Sequence, residues 1–285
     1  MKKVLLYYCY CYPYKYEELE EHIKYGYEMH FYLLEHYKDI FDEVQIVLGI
    51  DNQNNPYEIL KFYKEKFTEI FKDKKLEITL IENDPIYRDA MVYKYVFAKQ
   101  LEKYNDCLLF FAQAKGLGNV NDKVNFLDEL ITIYEWVYGL YYFNLENPKE
   151  VELLLTKTED YICYGSMFLD FSIPKNAEKG GDKFGVRFNK TKWIYSGSFQ
   201  WININKLKNY IKENSINLDR IPIMRRFFSE DFLGNILPVK YAAGAKTYRY
   251  YDDYNEIDAH IKDLYPDQYM DFLNNFTEFF QIKTD

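Results

Sequence analysis

Apolar residues recur along this chain in two alternating patterns. Short continuous runs, of the kind a strand buried on both faces requires, fall at 3–10, 44–50, 76–81 and 107–112. Between them lie stretches with one apolar stripe at helical spacing. Leu19, Ile23, Tyr27, Phe31 and Leu34 mark a first helix, and Ile59, Tyr63, Phe67 and Ile70 a second. Met91, Val92, Tyr95, Ala98 and Leu101 mark a third over 88–104. Four successive strand–helix units predict an α/β fold with a central, mostly parallel sheet flanked by helices.

Beyond residue 120 the rhythm changes. A long helix is predicted over 122–143, and Asn147-Pro148 opens another, with proline tolerated in the first turn. Residues 161–168 read as a strand, 172–192 as an exposed glycine-containing loop, and 193–205 as strand residues broken by Ser-Gly-Ser. A short helix is expected at 207–211, a helix start at Ser229-Glu230-Asp231, and a last helix opened by Pro266. The implied organisation is a main domain over 1–240, with a nucleotide-binding half at 1–118 and an acceptor half at 119–240. A helical extension over 241–285 packs on the same globule.

With 285 residues, 48% of them hydrophobic, the chain can bury one large core. The net charge of −9 argues against non-specific binding to nucleic acid or anionic membranes. No stretch approaches the roughly 20 apolar residues of a membrane span. The start, MKKVLLYYCYCYPY, lacks the small-residue cleavage site of a secretory signal. Cys9, Cys11, Cys107 and Cys163 show no zinc spacing and read as free thiols in a reducing, cytoplasmic setting. His22, His30 and His36 lie among charged residues and are expected to be solvated. The 31 tyrosines and 22 phenylalanines suit either a coding bias toward these residues or aromatic platforms for sugar rings.

Ligands of open parallel sheets bind beyond the carboxyl ends of the strands. Those ends hold Tyr10 and Tyr12, Asp51, Asp84 with Arg88 a turn later, and Gln113-Ala114-Lys115-Gly116. Lys115 could face a diphosphate, and Gly116 would let the backbone approach it. Asp84 could equally be a helix cap. Ser196, Gly197, Ser198 and Trp201 form either a wall for a sugar or a strand with a bulge and core aromatics. Glu230 and Asp231 are either a catalytic pair or residues favoured by the helix dipole.

Three of these pieces, in this order, carry a resemblance: Phe111-Ala112-Gln113-Ala114-Lys115-Gly116, then Ser196-Gly197-Ser198-Phe199-Gln200-Trp201, then Ser229-Glu230-Asp231-Phe232. The chain resembles a family of bacterial and viral glycosyltransferases with a GT-A-type, Rossmann-like fold. The resemblance implies transfer of a sugar from a nucleotide-sugar donor to a glycan or other hydroxyl acceptor. It implies donor binding by Gln113, Lys115 and Gly116, and the strand-end positions add Tyr10, Tyr12, Asp51, Asp84 and Arg88 to the expected donor site. Sugar or acceptor contacts would come from Ser196, Gly197, Ser198 and Trp201. Glu230 would be the general base, with Asp231 as its substitute. Where that family has His-Thr before Lys-Gly, this chain has Gln113-Ala114, and no Asp-x-Asp follows the fourth strand. Manganese or magnesium therefore has no assigned ligand, and a non-catalytic glycan- or protein-binding module of the same fold is the alternative. An unrelated nucleotide-dependent enzyme ranks lower, because Cys9–Tyr14 contains no glycine fingerprint.

Overall fold

The computed structural model describes residues 1–51, 56–83, 92–114, 126–170, 193–195, 198–218 and 228–246. Its first half alternates as the hydrophobic pattern predicts: β1 (Lys2–Tyr10), α1 (Glu21–Tyr37), β2 (Glu43–Ile50), α2 (Pro56–Ile70), β3 (Lys75–Glu82), α3 (Ala98–Lys103) and β4 (Cys107–Gln113). A π turn at Tyr93–Phe97 leads into α3. The second half contains α4 (Phe126–Leu145), α5 (Pro148–Lys157), β5 (Cys163–Asp170), β6 (Trp193–Tyr195), β7 (Gln200–Asn203), α6 (Ile204–Glu213), α7 (Phe228–Ile236) and β8 (Ala242–Lys246).

All the described strands join one sheet. β3, β2, β1 and β4 lie side by side in that order and all parallel. β7 runs antiparallel to β4, and β5 antiparallel to β7, so β5 points the same way as β1. β8 is parallel to β5. Because order reverses on passing from β2 to β4 across β1, the carboxyl ends of β1 and β4 flank a topological switch point.

Side chains alternate between the two faces of a strand, and helices cover both faces here. Leu5, Tyr7 and Cys9 of β1 face a core built with α1, α2, α4 and α5. Val4, Leu6 and Tyr8 face the opposite core, built with α3, α6 and α7. This double coverage explains why β1, β2 and β4 read as unbroken apolar runs, while β3, next to β2 alone among the described strands, stays partly exposed along its length.

β6 and β7 are one antiparallel partner of β5 with an interruption. Tyr195 pairs with Phe168 and Gln200 with Gly165, so the register shifts by two residues between these pairs. Ser198 within this interruption takes φ 63°. Such an insertion is a bulge, and it re-aims the chain without ending the strand.

Three expectations are corrected. Residues 242–246 form β8 of the main sheet, where a helical extension was expected from 241; the predicted helix after Pro266 lies outside the described residues. The strand exists because β5 needs a second neighbour. The backbones approach so closely that a Cβ on Gly244, at φ 155°, would stand 2.0 Å from the Gly165 carbonyl oxygen. The helix expected at 207–211 starts three residues earlier, at Ile204, capped by the Asn203 side chain accepting from the Lys206 amide at 3.1 Å. Finally, of the three histidines on α1, His22 and His30 are buried and His36 is exposed. α4 covers the flank of α1, and Tyr141 supplies a hydroxyl 2.9 Å from His30 Nδ1.

Candidate functional site

The carboxyl ends of β1, β2 and β3 converge on a hydrogen-bonded cluster. The Tyr10 hydroxyl donates to Asp51 Oδ2 at 2.8 Å, and Asn83 Nδ2 donates to Asp51 Oδ1 at 2.9 Å. Each carboxylate oxygen thus holds one donor, which fixes the plane of Asp51. Tyr8 closes the chain, its hydroxyl donating to Asn83 Oδ1 at 3.3 Å. Main-chain bonds tie the same ends together: the Cys11 amide donates to Gly49 O at 2.8 Å, Asn83 N to Ile50 O at 2.7 Å, and Ala114 N to Tyr8 O at 2.9 Å.

A glycine makes this cluster fit. A Cβ on Gly49 would lie 2.4 Å from the Tyr8 hydroxyl oxygen, so the absent side chain leaves room for the Tyr8 ring. Tyr10 and Tyr12 then stand together at the end of β1, ring centroids 5.0 Å apart and tilted by 59°. Tyr12 meets the ring of Tyr27 edge-on at 6.3 Å, and the Tyr27 hydroxyl donates to the Tyr10 carbonyl. Tyr10, Tyr12, Asp51 and Asn83 are half-buried, whereas Tyr8 and Tyr27 below them are buried. The result is a rigid rim with aromatic rings on one side and an oriented carboxylate on the other. Such a rim can stack on a planar base and accept hydrogen bonds from hydroxyl groups.

Of the other residues singled out for donor binding, Gln113 is buried at the end of β4, paired in register with Tyr8. Asp84, Arg88, Lys115 and Gly116 lie outside the described residues, as do Ser196 and Gly197. Glu230 and Asp231 fall in the first turn of α7.

The sugar-wall reading of the Ser198–Trp201 segment is corrected. Trp201 is buried, with its ring packed on Phe110 at 4.9 Å and Phe41 at 5.9 Å. Its indole Nε1 donates to the Asn144 carbonyl at 2.8 Å. Neither ring face nor the ring N–H remains for a sugar. Ser198 is also fully buried. The physical cause is the long helix α4, which lies over this part of the sheet and seals it.

Gly49 and Asn83 lie at the strand ends where the sequence places a site, Asn83 beside Asp84, whereas Tyr8, inside the β1 run, is not singled out by the sequence. A hydroxyl in an otherwise apolar run at a strand's carboxyl end was the available signal for Tyr8.

At the amino end of the sheet lies a second polar group. Glu43 is buried and receives Lys2 at 2.5 Å, Lys75 and Lys103 at 3.2 Å each, Gln45 Nε2 at 3.1 Å and the Tyr104 hydroxyl. Burial by itself pushes this carboxyl up; hydrogen bonds from Lys2, Tyr104, Lys75 and Lys103 outweigh it and hold the group at about 2. All its acceptor capacity is used by the protein, so this cluster is an anchor for β1, β2, β3 and α3.

Among the described residues no group of three or more His, Cys, Asp or Glu is placed to hold a metal ion, and no helix is long and apolar enough to cross a membrane. No protein-family model and no curated protein matches the chain.

Proposed function

We propose that this protein is a glycosyltransferase of GT-A type that takes its donor, a nucleotide sugar, at the carboxyl ends of β1, β2 and β4. The observation that supports the reading is the Tyr8–Asn83–Asp51–Tyr10 cluster beside the β1/β4 switch point. The tyrosine rings suit a nucleobase. Among the described residues each Asp51 oxygen accepts one hydrogen bond, which leaves an acceptor lone pair on each for ribose hydroxyls, as acidic residues at the end of a second parallel strand serve in dinucleotide folds.

Glycosyl transfer builds negative charge on the departing nucleoside diphosphate. In this reading Lys115 and Arg88 meet that charge, and a manganese or magnesium ion would share it if one binds. Glu230, on the first turn of α7, takes the proton of the acceptor hydroxyl, with Asp231 as the substitute. The acceptor is a glycan or another hydroxyl compound.

A thermal-shift screen against UDP, GDP, CDP and CMP and their sugar conjugates, with and without manganese, tests the proposal. A ligand that binds only the folded state raises the midpoint. A rise with one nucleotide class is expected. Absence of any rise, with every nucleotide and in both metal conditions, sinks the reading. Glycan binding without nucleotide binding would indicate the non-catalytic module.

A further inference from the structure

Resting on that reading, we infer that Tyr93 is a positioning residue: it sets the first turn of α7, the turn that carries Glu230 and Asp231. Tyr93 opens the π turn before α3 and is buried. A π turn adds a residue to a helical turn and re-aims its side chains, and such turns recur at functional sites. Here the ring of Tyr93 lies against Phe111 of β4 at 4.8 Å and against Phe232 of α7 at 4.7 Å. Phe97, one turn on, meets the same Phe232 ring edge-on at 5.4 Å. Phe232 directly follows Asp231 in sequence. The seat that holds the Phe232 ring therefore decides where the two carboxylate-bearing residues begin.

The seat is itself locked by a polar contact. Gln200 of β7 donates from Nε2 to the Tyr93 hydroxyl at 2.5 Å. Gln200 is buried, and among the described residues its Oε1 has no hydrogen-bond partner. A buried carbonyl left unpaired is a cost that an apolar residue at this position would avoid. The contact with Tyr93 is what the glutamine supplies in return. The far end of α7 is tethered independently, since Trp193 Nε1 donates to the Leu237 carbonyl at 2.8 Å. α7 is thus held just past its carboxyl end by Trp193 and at its middle, one residue after Asp231, through Tyr93.

The test uses Tyr93→Phe, which keeps the ring and removes the hydroxyl, and Gln200→Leu, which removes the donor from the other side. Nucleotide affinity, kcat, donor KM and amide hydrogen exchange along α7 are measured for each in the full-length protein. The expected result is kcat lowered about tenfold through misplacement of the general base, with donor KM and nucleotide Kd within about twofold of the parent. Exchange at Phe232 and Leu233 should quicken while Leu237 is unchanged. Unchanged exchange at Phe232 and Leu233 in both variants overturns the inference, as does a raised KM with kcat intact. If the parent binds no nucleotide, the transferase reading falls by itself, and the exchange measurement alone decides whether Tyr93 sets α7.

Discussion

The Tyr10 hydroxyl and the Asp51 carboxylate, carried by the carboxyl ends of neighbouring parallel strands, are joined by a 2.8 Å hydrogen bond. Neither group is fully buried, so the bond is made where a ligand would compete or cooperate with it. Asp51→Ala removes the carboxylate that is oriented by Tyr10 and Asn83. Nucleotide affinity should fall about tenfold or more, the cost of one to two hydrogen bonds to a charged acceptor. Titration calorimetry with the nucleotide found by the thermal screen measures it. Full affinity in Asp51→Ala would remove Asp51 from the site.

Gly49 and Tyr8 form a coupled pair. Gly49→Ala forces a methyl group into the space of the Tyr8 ring and should destabilise the fold by about 1–3 kcal/mol, as overpacking does. In the background of Tyr8→Leu the same substitution should cost much less. Urea unfolding of the four members of this double-mutant cycle gives the coupling, and simple additivity would show that the two residues do not compete for space.

Trp201 should behave as a core residue. Trp201→Phe loses the hydrogen bond to Asn144 and part of the packing on Phe110, and should lower stability by about 1–3 kcal/mol. Glycan affinity should be unchanged in the folded variant. A selective loss of glycan binding at parental stability would restore the sugar-wall reading.

Glu43 should make the protein acid-sensitive. Its carboxyl is held at about 2 in the folded chain against an ordinary 4.5, so the folded state binds fewer protons than the unfolded one in that interval. The stabilisation is complete above pH 4.5 and drains away as pH falls toward 2. Glu152, held down by Lys3 and the amino terminus, and Glu77, held down by Lys103, act in the same direction. Glu43→Gln should cost about 3 kcal/mol at neutral pH, because it breaks a buried charge cluster, and should flatten the acid limb of a plot of urea midpoint against pH. A parallel acid limb in the variant would show that Glu43 is not its source.

All four cysteines are buried and free. Burial pushes the thiols of Cys107 and Cys163 up to about 12, and raises Cys11 as well. The native protein should therefore leave an aromatic disulfide reagent unreacted at neutral pH and yield its thiols only on unfolding. Rapid native labelling at any of the four would mean that the backbone around it opens locally.

Local pattern was enough to read the strands and helices of the first half. An apolar run of strand length, or an apolar stripe at helical spacing, is a property of consecutive residues. Once four strand–helix units are recognised, topology places their carboxyl ends together, so Tyr10, Tyr12, Asp51 and Gln113 could be picked without coordinates. The tertiary structure decided what depends on partners distant in the chain. Trp201 beside small polar residues reads equally as a sugar platform or as core, until α4 is seen to cover it and Asn144 to take its N–H. His30 among charged residues reads as solvated until Tyr141, on a different helix, supplies its hydrogen bond. β8 carries too few apolar residues to announce itself and becomes a strand only because β5 has an open edge and glycines where the two backbones meet. Burial and hydrogen-bond satisfaction are properties of surroundings, and for these residues the surroundings come from segments far away in the sequence.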